Sequence, residues 1–446
     1  MVEQNALRKI KPSKNGEERV KKFVKKLVKT AESVSNLNCL PCGSIGKGTW
    51  LSGDHDIDLF MIFPRNTSRA TLEKHGLAFG KKIAKNLKGK HIIKYAEHPY
   101  TQITASGFTI DVVPCYKIKR HEKIISAVDR SPLHLEFVKE KLSRPDEARL
   151  LKQFCKGIGV YGSDTKTEGF SGYICELFII AFGSFKKLIK EASNWQPPVL
   201  LELVKKEKKF SDSLIVIDPI DSNRNVAAVI SDENFIKFIS AAKQYTKKPT
   251  LSFFFPPNKK TLSTTELNIL KKRGTHFITI VMKRPDILDD IVYPQLRRSL
   301  RRINSLLHQH EFFTIRSFVF SDNKKMVIIL EVENEKMPAV EKMTGPTIYS
   351  KKHTKEFLTK YGSTKNIFGP FIENGRWVVE KPREHKTAFD LIKSFVSSKK
   401  LEEKGIPKNI ATHMKKSKIL ENSFSLFKKD KNLSVAIREK YFKKLI

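Results

Sequence analysis

The sequence predicts a multidomain α+β protein, and three observations predict it. The chain has 446 residues, too many for one ordinary core, so about three domains are expected. Strand-like and helix-like hydrophobic periods are interleaved over residues 1–140, helical periods dominate 141–256, and a mixed pattern returns after Pro256-Pro257. Hydrophobic residues make up 40% and charged residues 29%, the balance of a folded globular chain rather than a disordered one.

Residues 17–32 read as an amphipathic helix. Val20, Phe23, Val24, Leu27, Val28 and Ala31 share one face, and Lys21, Lys22, Lys25, Lys26 and Lys29 the other. A Gly/Ser-rich turn follows at Gly43–Gly53. Ile57–Phe63 is a buried-type strand, Arg69–Leu87 a helix, and Ile92–Tyr95 and Tyr100–Ala105 are strands. Phe108–Cys115 is a further strand, with Pro114 expected to stop it. Leu135–Leu142, Ala148–Gly157, Ile174–Ile189 and Ser231–Gln244 read as helices of a helical middle domain, with one short strand at Leu214–Ile217. Beyond Pro257, Phe277–Lys283, Ile287–His310, Phe312–Phe320 and Met326–Glu333 follow a β-α-β-β order, which suggests a ferredoxin-like unit. Residues 397–446 are basic and read as short helices.

Charge is the strongest global signal. Lys and Arg number 84 against 47 Asp and Glu, a formal net of +37. Such a field draws in polyanions, so a nucleic-acid partner is expected, with an acidic membrane as the rival. Arg297, Arg298, Arg301 and Arg302 either track phosphates or form a solvated face. No apolar run approaches the ~18 residues of a membrane helix, and the opening MVEQNALRKIKPSKNGEE lacks a signal-type apolar region. The cytoplasm is the expected location. Five scattered cysteines argue against a disulfide framework. Cys39-Leu-Pro-Cys42 has the spacing of a redox pair or half a zinc site, but nothing completes a tetrahedral set, so plain thiols are expected.

The chemistry is concentrated in Gly43-Ser-Ile-Gly-Lys-Gly-Thr-Trp-Leu51 and Asp56-Ile-Asp58. A Gly-Ser turn lets backbone N–H groups and the Ser44 hydroxyl approach phosphate oxygens, and Lys47 adds a positive charge. Asp56 and Asp58 are two apart on a strand, so both carboxylates emerge on one face. Adjacent carboxylates repel unless a hard cation lies between them, and magnesium prefers such oxygens. Asp111 sits within the apolar strand Thr109-Ile-Asp-Val-Val113, where a lone charge is costly unless paired or metal-bound. Asp54 is evenly spaced with the pair but belongs to the turn, so Asp56 is preferred. Together Asp56, Asp58 and Asp111 suit two Mg2+ ions clamping an in-line displacement at a phosphate.

The pattern GS-x-x-K-x-TWL…DxD, followed by Ile110–Ile118 (IDVVPCYKI), resembles the polymerase-β-like nucleotidyltransferase superfamily. The longer match resembles the archaeal, class I CCA-adding enzymes. Ser126–His134, Arg149-Leu-Leu-Lys152, Gly159-Val-Tyr-Gly162, Gly169–Tyr173, Asp218–Ala228, Phe253–Pro256 and Gly369–Trp377 extend it over nearly the whole chain. Two positions depart from the family: Asp56 stands where Glu is common, and Lys47 where Arg is, without the bidentate fork.

The resemblance implies template-independent addition of the terminal CCA of tRNA from CTP and ATP. It implies His134, Lys152 and Tyr161 as nucleotide contacts beside Ser44 and Lys47, and Arg224 as a reader of the incoming base. Unaided, His134 reads as a helix-start residue and Lys152 and Tyr161 as surface and packing residues, and Arg224 has the alternative of pairing with Asp218 or Asp221. The implied architecture is a catalytic head over 1–140, a helical neck over 141–256, and a ferredoxin-like tRNA-binding body with a basic tail over 257–446. A homodimer is compatible with it. A poly(A) or uridylyl tailing polymerase is the competing enzyme, and a non-catalytic RNA-binding protein the competing class.

Overall fold

The computed structural model describes residues 1–95, 97–365 and 367–442. The chain divides into two compact units, one spanning Met1–Asn258 and the other beginning at Lys259.

The first unit opens with α1 (Val2–Ile10) and α2 (Lys14–Ser35). Ser13 caps α2 by accepting from Gly16 N, and Asn36 closes it with φ 54°, a conformation Asn tolerates. Next come β1 (Asn38–Pro41), the five-residue α3 (Gly43–Lys47), β2 (Asp56–Phe63), α4 (Arg69–Asn86), β3 (Lys90–Tyr95), β4 (Pro99–Ala105) and β5 (Phe108–Tyr116). The strands form one sheet in the order β1-β2-β5-β4-β3. Alternation in β2 decides what each face carries. Ile57, Leu59, Met61 and Phe63 are buried with Leu27 and Ala31 of α2 and Leu72 and Ile83 of α4. Asp56, Asp58 and Phe60 therefore emerge on the opposite face.

Strand β5 continues through Pro114 to Tyr116, contrary to the expectation of a stop. Thr109 N donates to His55 O and Lys117 N to Phe63 O, so odd-numbered residues donate toward β2. Pro114 faces the β4 side, where pairing has already ended at Val112, and its missing N–H removes no ladder bond.

The middle stretch contains α5 (Arg130–Lys141), α6 (Pro145–Ile158), α7 (Gly172–Phe182), α8 (Phe185–Ala192) and α9 (Asp232–Lys247). It also holds β6 (Val199–Leu201), β7 (Leu214–Asp218) and β8 (Asp221–Asn225), joined as a three-stranded sheet. The sequence signals only the first part of β7, because β6 is three residues long and β8 (DSNRN) is polar throughout. Phe154, Phe170, Phe178, Phe185, Phe238 and Phe254 are fully buried in one core, which fixes α6, α7 and α9 against one another.

The second unit contains α10 (Thr264–Lys271), β9 (His276–Lys283), α11 (Asp289–Gln309), β10 (Thr314–Ser321) and β11 (Lys325–Val332). It continues with β12 (Val340–Thr347), α12 (Lys351–Tyr361), β13 (Phe368–Glu373), β14 (Arg376–Pro382), α13 (Ala388–Val396), α14 (Lys408–Met414), β15 (Lys418–Glu421), α15 (Phe424–Lys429) and α16 (Lys431–Tyr441). One antiparallel sheet runs β10-β11-β9-β15 and a second runs β12-β14-β13. Ile278, Ile280, Ile328 and Leu330 face α11, whereas Phe277, Val327 and Ile329 face the C-terminal helices. Burial on both faces explains why β9 and β11 read as continuous apolar runs. The basic end carries a strand, β15, as well as short helices. On α11, Arg298 and Arg301 are exposed, while Arg302 donates to Lys404 O at 2.7 Å.

Candidate active site

The Gly-Ser turn is tied directly to β2, because Cys42 N donates to Asp58 O at 2.7 Å. Gly43 has φ +58°, and a Cβ there would lie 1.8 Å from Asp58 Oδ2. Glycine is required on both counts. The close approach sets the start of α3, which carries Ser44, against Asp58.

Asp58 and Asp111 are direct partners in the parallel β2–β5 ladder, with Asp56 opposite Thr109. Burial pushes the Asp58 carboxyl up to about 6, reinforced by Asp111 and then Asp56 and opposed by Lys47. Burial also raises Asp111, against the amide of Gln102, which donates to Asp111 Oδ1 at 2.7 Å. Among the described residues, no three His, Cys, Asp or Glu side chains are already gathered closely enough to hold an ion.

A second cluster surrounds Glu176 of α7. Its carboxylate accepts from Lys47 Nζ at 2.8 Å, from Lys152 Nζ at 2.7 Å and from the Thr49 hydroxyl at 2.5 Å. Burial alone would raise Glu176, but Lys152 and Lys47 bring it down to about 2. Buried Arg149, on α6, donates to Trp50 O at 2.9 Å and Gly48 O at 2.6 Å, fixing the loop that follows Lys47. Tyr161 and Lys152 converge on Gly172, where a Cβ would lie 3.1 Å from the Tyr161 hydroxyl and 3.3 Å from Lys152 Cε. Burial pushes the Tyr161 phenol well up.

A third cluster surrounds Asp218, which is fully buried at the end of β7. It accepts from His134 Nε2 at 3.0 Å, Tyr173 Oη at 3.2 Å, Ile220 N at 3.1 Å and Arg224 Nη1 at 2.7 Å. Burial would raise its carboxyl, but the hydrogen bonds from His134 and Ile220 and the charge of Arg224 lower it to about 2. Burial pushes His134 below its usual value despite Asp218. Nε2 is the donor of this pair, because a carboxylate only accepts.

Tyr173 joins the last two clusters. Its ring stacks on His134 with centroids 3.9 Å apart, and Lys47 Nζ lies 4.6 Å from the ring centroid. The structure therefore gathers Lys47, Lys152 and Tyr161 at one end of this network and His134 and Arg224 at the other. Arg224 is paired with Asp218, while Asp221 pairs with Arg130 at 2.8 Å. Asp54 lies 3.3 Å from Lys156. All five cysteines are free and buried.

Sequence reasoning missed Glu176, Tyr173 and Gln102 as site residues. Glu176 carried a usable signal: it is the one charge in Gly-Tyr-Ile-Cys-Glu-Leu-Phe-Ile-Ile-Ala-Phe, the same argument that singles out Asp111.

A Gly-Ser turn against registered strand aspartates, on a mixed α/β head, defines a nucleotidyltransferase. A nucleotidyltransferase domain matches residues 17–134, a tRNA nucleotidyltransferase second domain matches 146–255, and a CCA-adding enzyme C-terminal domain matches 273–422. The CCA-adding enzyme of Methanosarcina mazei is 41% identical over 362 residues, 80% of each chain. That of Methanosarcina acetivorans is 41% identical over 356 residues, covering 79% of this chain and 78% of the relative. That of Methanocaldococcus jannaschii is 36% identical over 436 residues, covering 93% of this chain and 94% of the relative. The chain belongs to the CCA-adding enzyme family. No helix among the described residues is long and apolar enough to cross a membrane.

Proposed function

We propose that this protein completes and repairs the 3′-terminal CCA of tRNA without a template, using CTP, ATP and Mg2+ in the cytoplasm. The observation that carries the reading is the direct pairing of Asp58 with Asp111 beside the Gly43-Ser44 turn, on a chain of this family. Asp56, Asp58 and Asp111 offer only hard oxygen donors, and the Asp58 carboxyl is raised first by burial and then by Asp111 and Asp56, costs that a cation would offset. Magnesium keeps several waters and uses substrate phosphates as ligands, so the residues present fit it without a closed protein cage. When bound, Mg2+ supplies neutralisation of phosphate charge and acidification of the primer hydroxyl.

In this reading Ser44, Lys47, Lys152 and Tyr161 receive the triphosphate and sugar. Asp111 is the carboxylate nearest the tRNA 3′-hydroxyl. The hydroxyl oxygen, giving its proton to solvent, bonds to the α-phosphorus as the α–β bridging bond breaks, and pyrophosphate leaves. His134 contacts the nucleotide, and Arg224 leaves or shares Asp218 to present its fork to the incoming base and to tRNA phosphate. The head spans 1–140, the neck 141–256, and the tRNA-holding body and tail 257–446. The order β10-β11-β9-β15, with α11 after its first strand, supports a ferredoxin-like body. A homodimer is the proposed assembly.

The test is extension of a tRNA transcript lacking its last three nucleotides, with each nucleotide offered singly and together. Stepwise addition from CTP, one final addition requiring ATP, and arrest support the reading. Long A or U tails would move it to a tailing polymerase, and tight binding without incorporation to an RNA-binding protein.

A further inference from the structure

Glu176 is 1% exposed within an otherwise apolar helix. Its two oxygens are shared between cations from separate stretches of chain: Oε2 takes Lys47 at the end of α3, and Oε1 takes Lys152 of α6. The lysine side chains are themselves only 8% and 2% exposed. Two buried ammonium groups on one carboxylate repel, and each loses hydration, so both are costly to hold in one place. One shared carboxylate opposes both effects. It also restricts two long flexible stems that would otherwise lose rotamer freedom on meeting a ligand. Three formal charges still leave the cluster with a positive remainder for an anion. Tyr173, one turn earlier on α7, holds the Lys47 ammonium over its ring.

We propose that Glu176 is a positioning residue for nucleotidyl transfer, holding Lys47 and Lys152 together and aimed where the triphosphate is received. This rests on the reading of both lysines as triphosphate ligands. The carboxylate touches neither substrate nor metal; it acts through the lysines.

The test is steady-state kinetics of the full-length protein adding AMP to tRNA that lacks only its terminal A. Glu176→Gln is expected to raise the KM for ATP about tenfold or more, the worth of a charge-assisted hydrogen bond, with a smaller change in kcat and an unchanged KM for tRNA. Glu176→Asp, which keeps the charge, recovers part of the loss. In a Lys152→Met background Glu176→Gln adds less than it does alone. Thermal melting checks folding; if Glu176→Gln does not fold, Glu176→Asp carries the test by the same KM for ATP. A normal KM for ATP in folded Glu176→Gln, with Lys152→Met raising it, makes Glu176 a purely structural strut and overturns the proposal. A normal KM in Lys152→Met instead overturns the triphosphate reading beneath it.

Discussion

Asp58 and Asp111 face each other across two parallel strands, residue against residue, and the Asp58 side chain lies against the bare α-carbon of Gly43. Asp58 and the Gly-Ser turn are thereby held together. Asp58→Asn or Asp111→Ala is expected to lower nucleotide incorporation by at least about a thousandfold, as when charged groups at a developing transition state are removed. Chelation of divalent metal should match that loss, and readdition of Mg2+ should restore the wild type but not the variants. Incorporation with labelled CTP measures both.

Gly43→Ala tests the turn itself. The new methyl meets the Asp58 carboxylate, and the positive φ adds strain of about 1–3 kcal/mol. A lower melting temperature and strongly reduced activity are expected. Unchanged activity would show that the turn and β2 separate freely.

Stability should fall in acid, and the sign follows from three depressed groups. Asp218 and Glu176 both titrate near 2 in the folded protein, against ordinary values of 3.8 and 4.5. Their contributions are complete above those ordinary values and are lost as pH falls toward about 2. His134, held below 6.5, acts in the same direction starting from higher pH. Melting temperatures measured between pH 7 and pH 2 should decline, with a shallower decline in Asp218→Asn over the lower part of the range.

Arg224 holds Asp218 through one guanidinium nitrogen and keeps 37% of its side chain exposed. Arg224→Ala is expected to reduce discrimination among incoming nucleotides by roughly 10- to 100-fold, the value of a bidentate base contact. Competition between CTP and UTP at the first addition measures it. Intact discrimination would leave Arg224 as no more than the partner of Asp218.

Affinity for tRNA should weaken steeply with salt, given the net charge of +37. A plot of log affinity against log salt has an expected slope of several, close to one unit per neutralised phosphate. A flat plot would contradict a phosphate-led interface.

Much of this was legible in residue order alone. The period-two pattern of Asp56, Ile57 and Asp58 determines that two carboxylates share a face, because strand side chains alternate whatever the strand packs against. The apolar setting of Asp111 marks it as a functional charge, and the Lys excess marks a polyanion partner. Other features escaped for physical reasons. Two strands of the small middle sheet, β6 and β8, are too short or too polar to leave a period. The stretch between Glu333 and Ser397 gave no assignment, although it forms β12–β14, α12 and α13; β13 carries exposed residues on both faces, and β12 and β14 fully bury only Val378 and Val379.

The sequence by itself determined which chemical groups exist and, through local periodicity, which sit together within one element. Only the tertiary structure decided which carboxylate holds which cation. Glu176 lies 129 positions from Lys47, and Asp218 lies 84 from His134. The aromatic core around Phe154 and Phe178 fixes α6 against α7 and so sets Lys152 on Glu176 as well, and burial then leaves each charge only the partner that packing has placed beside it.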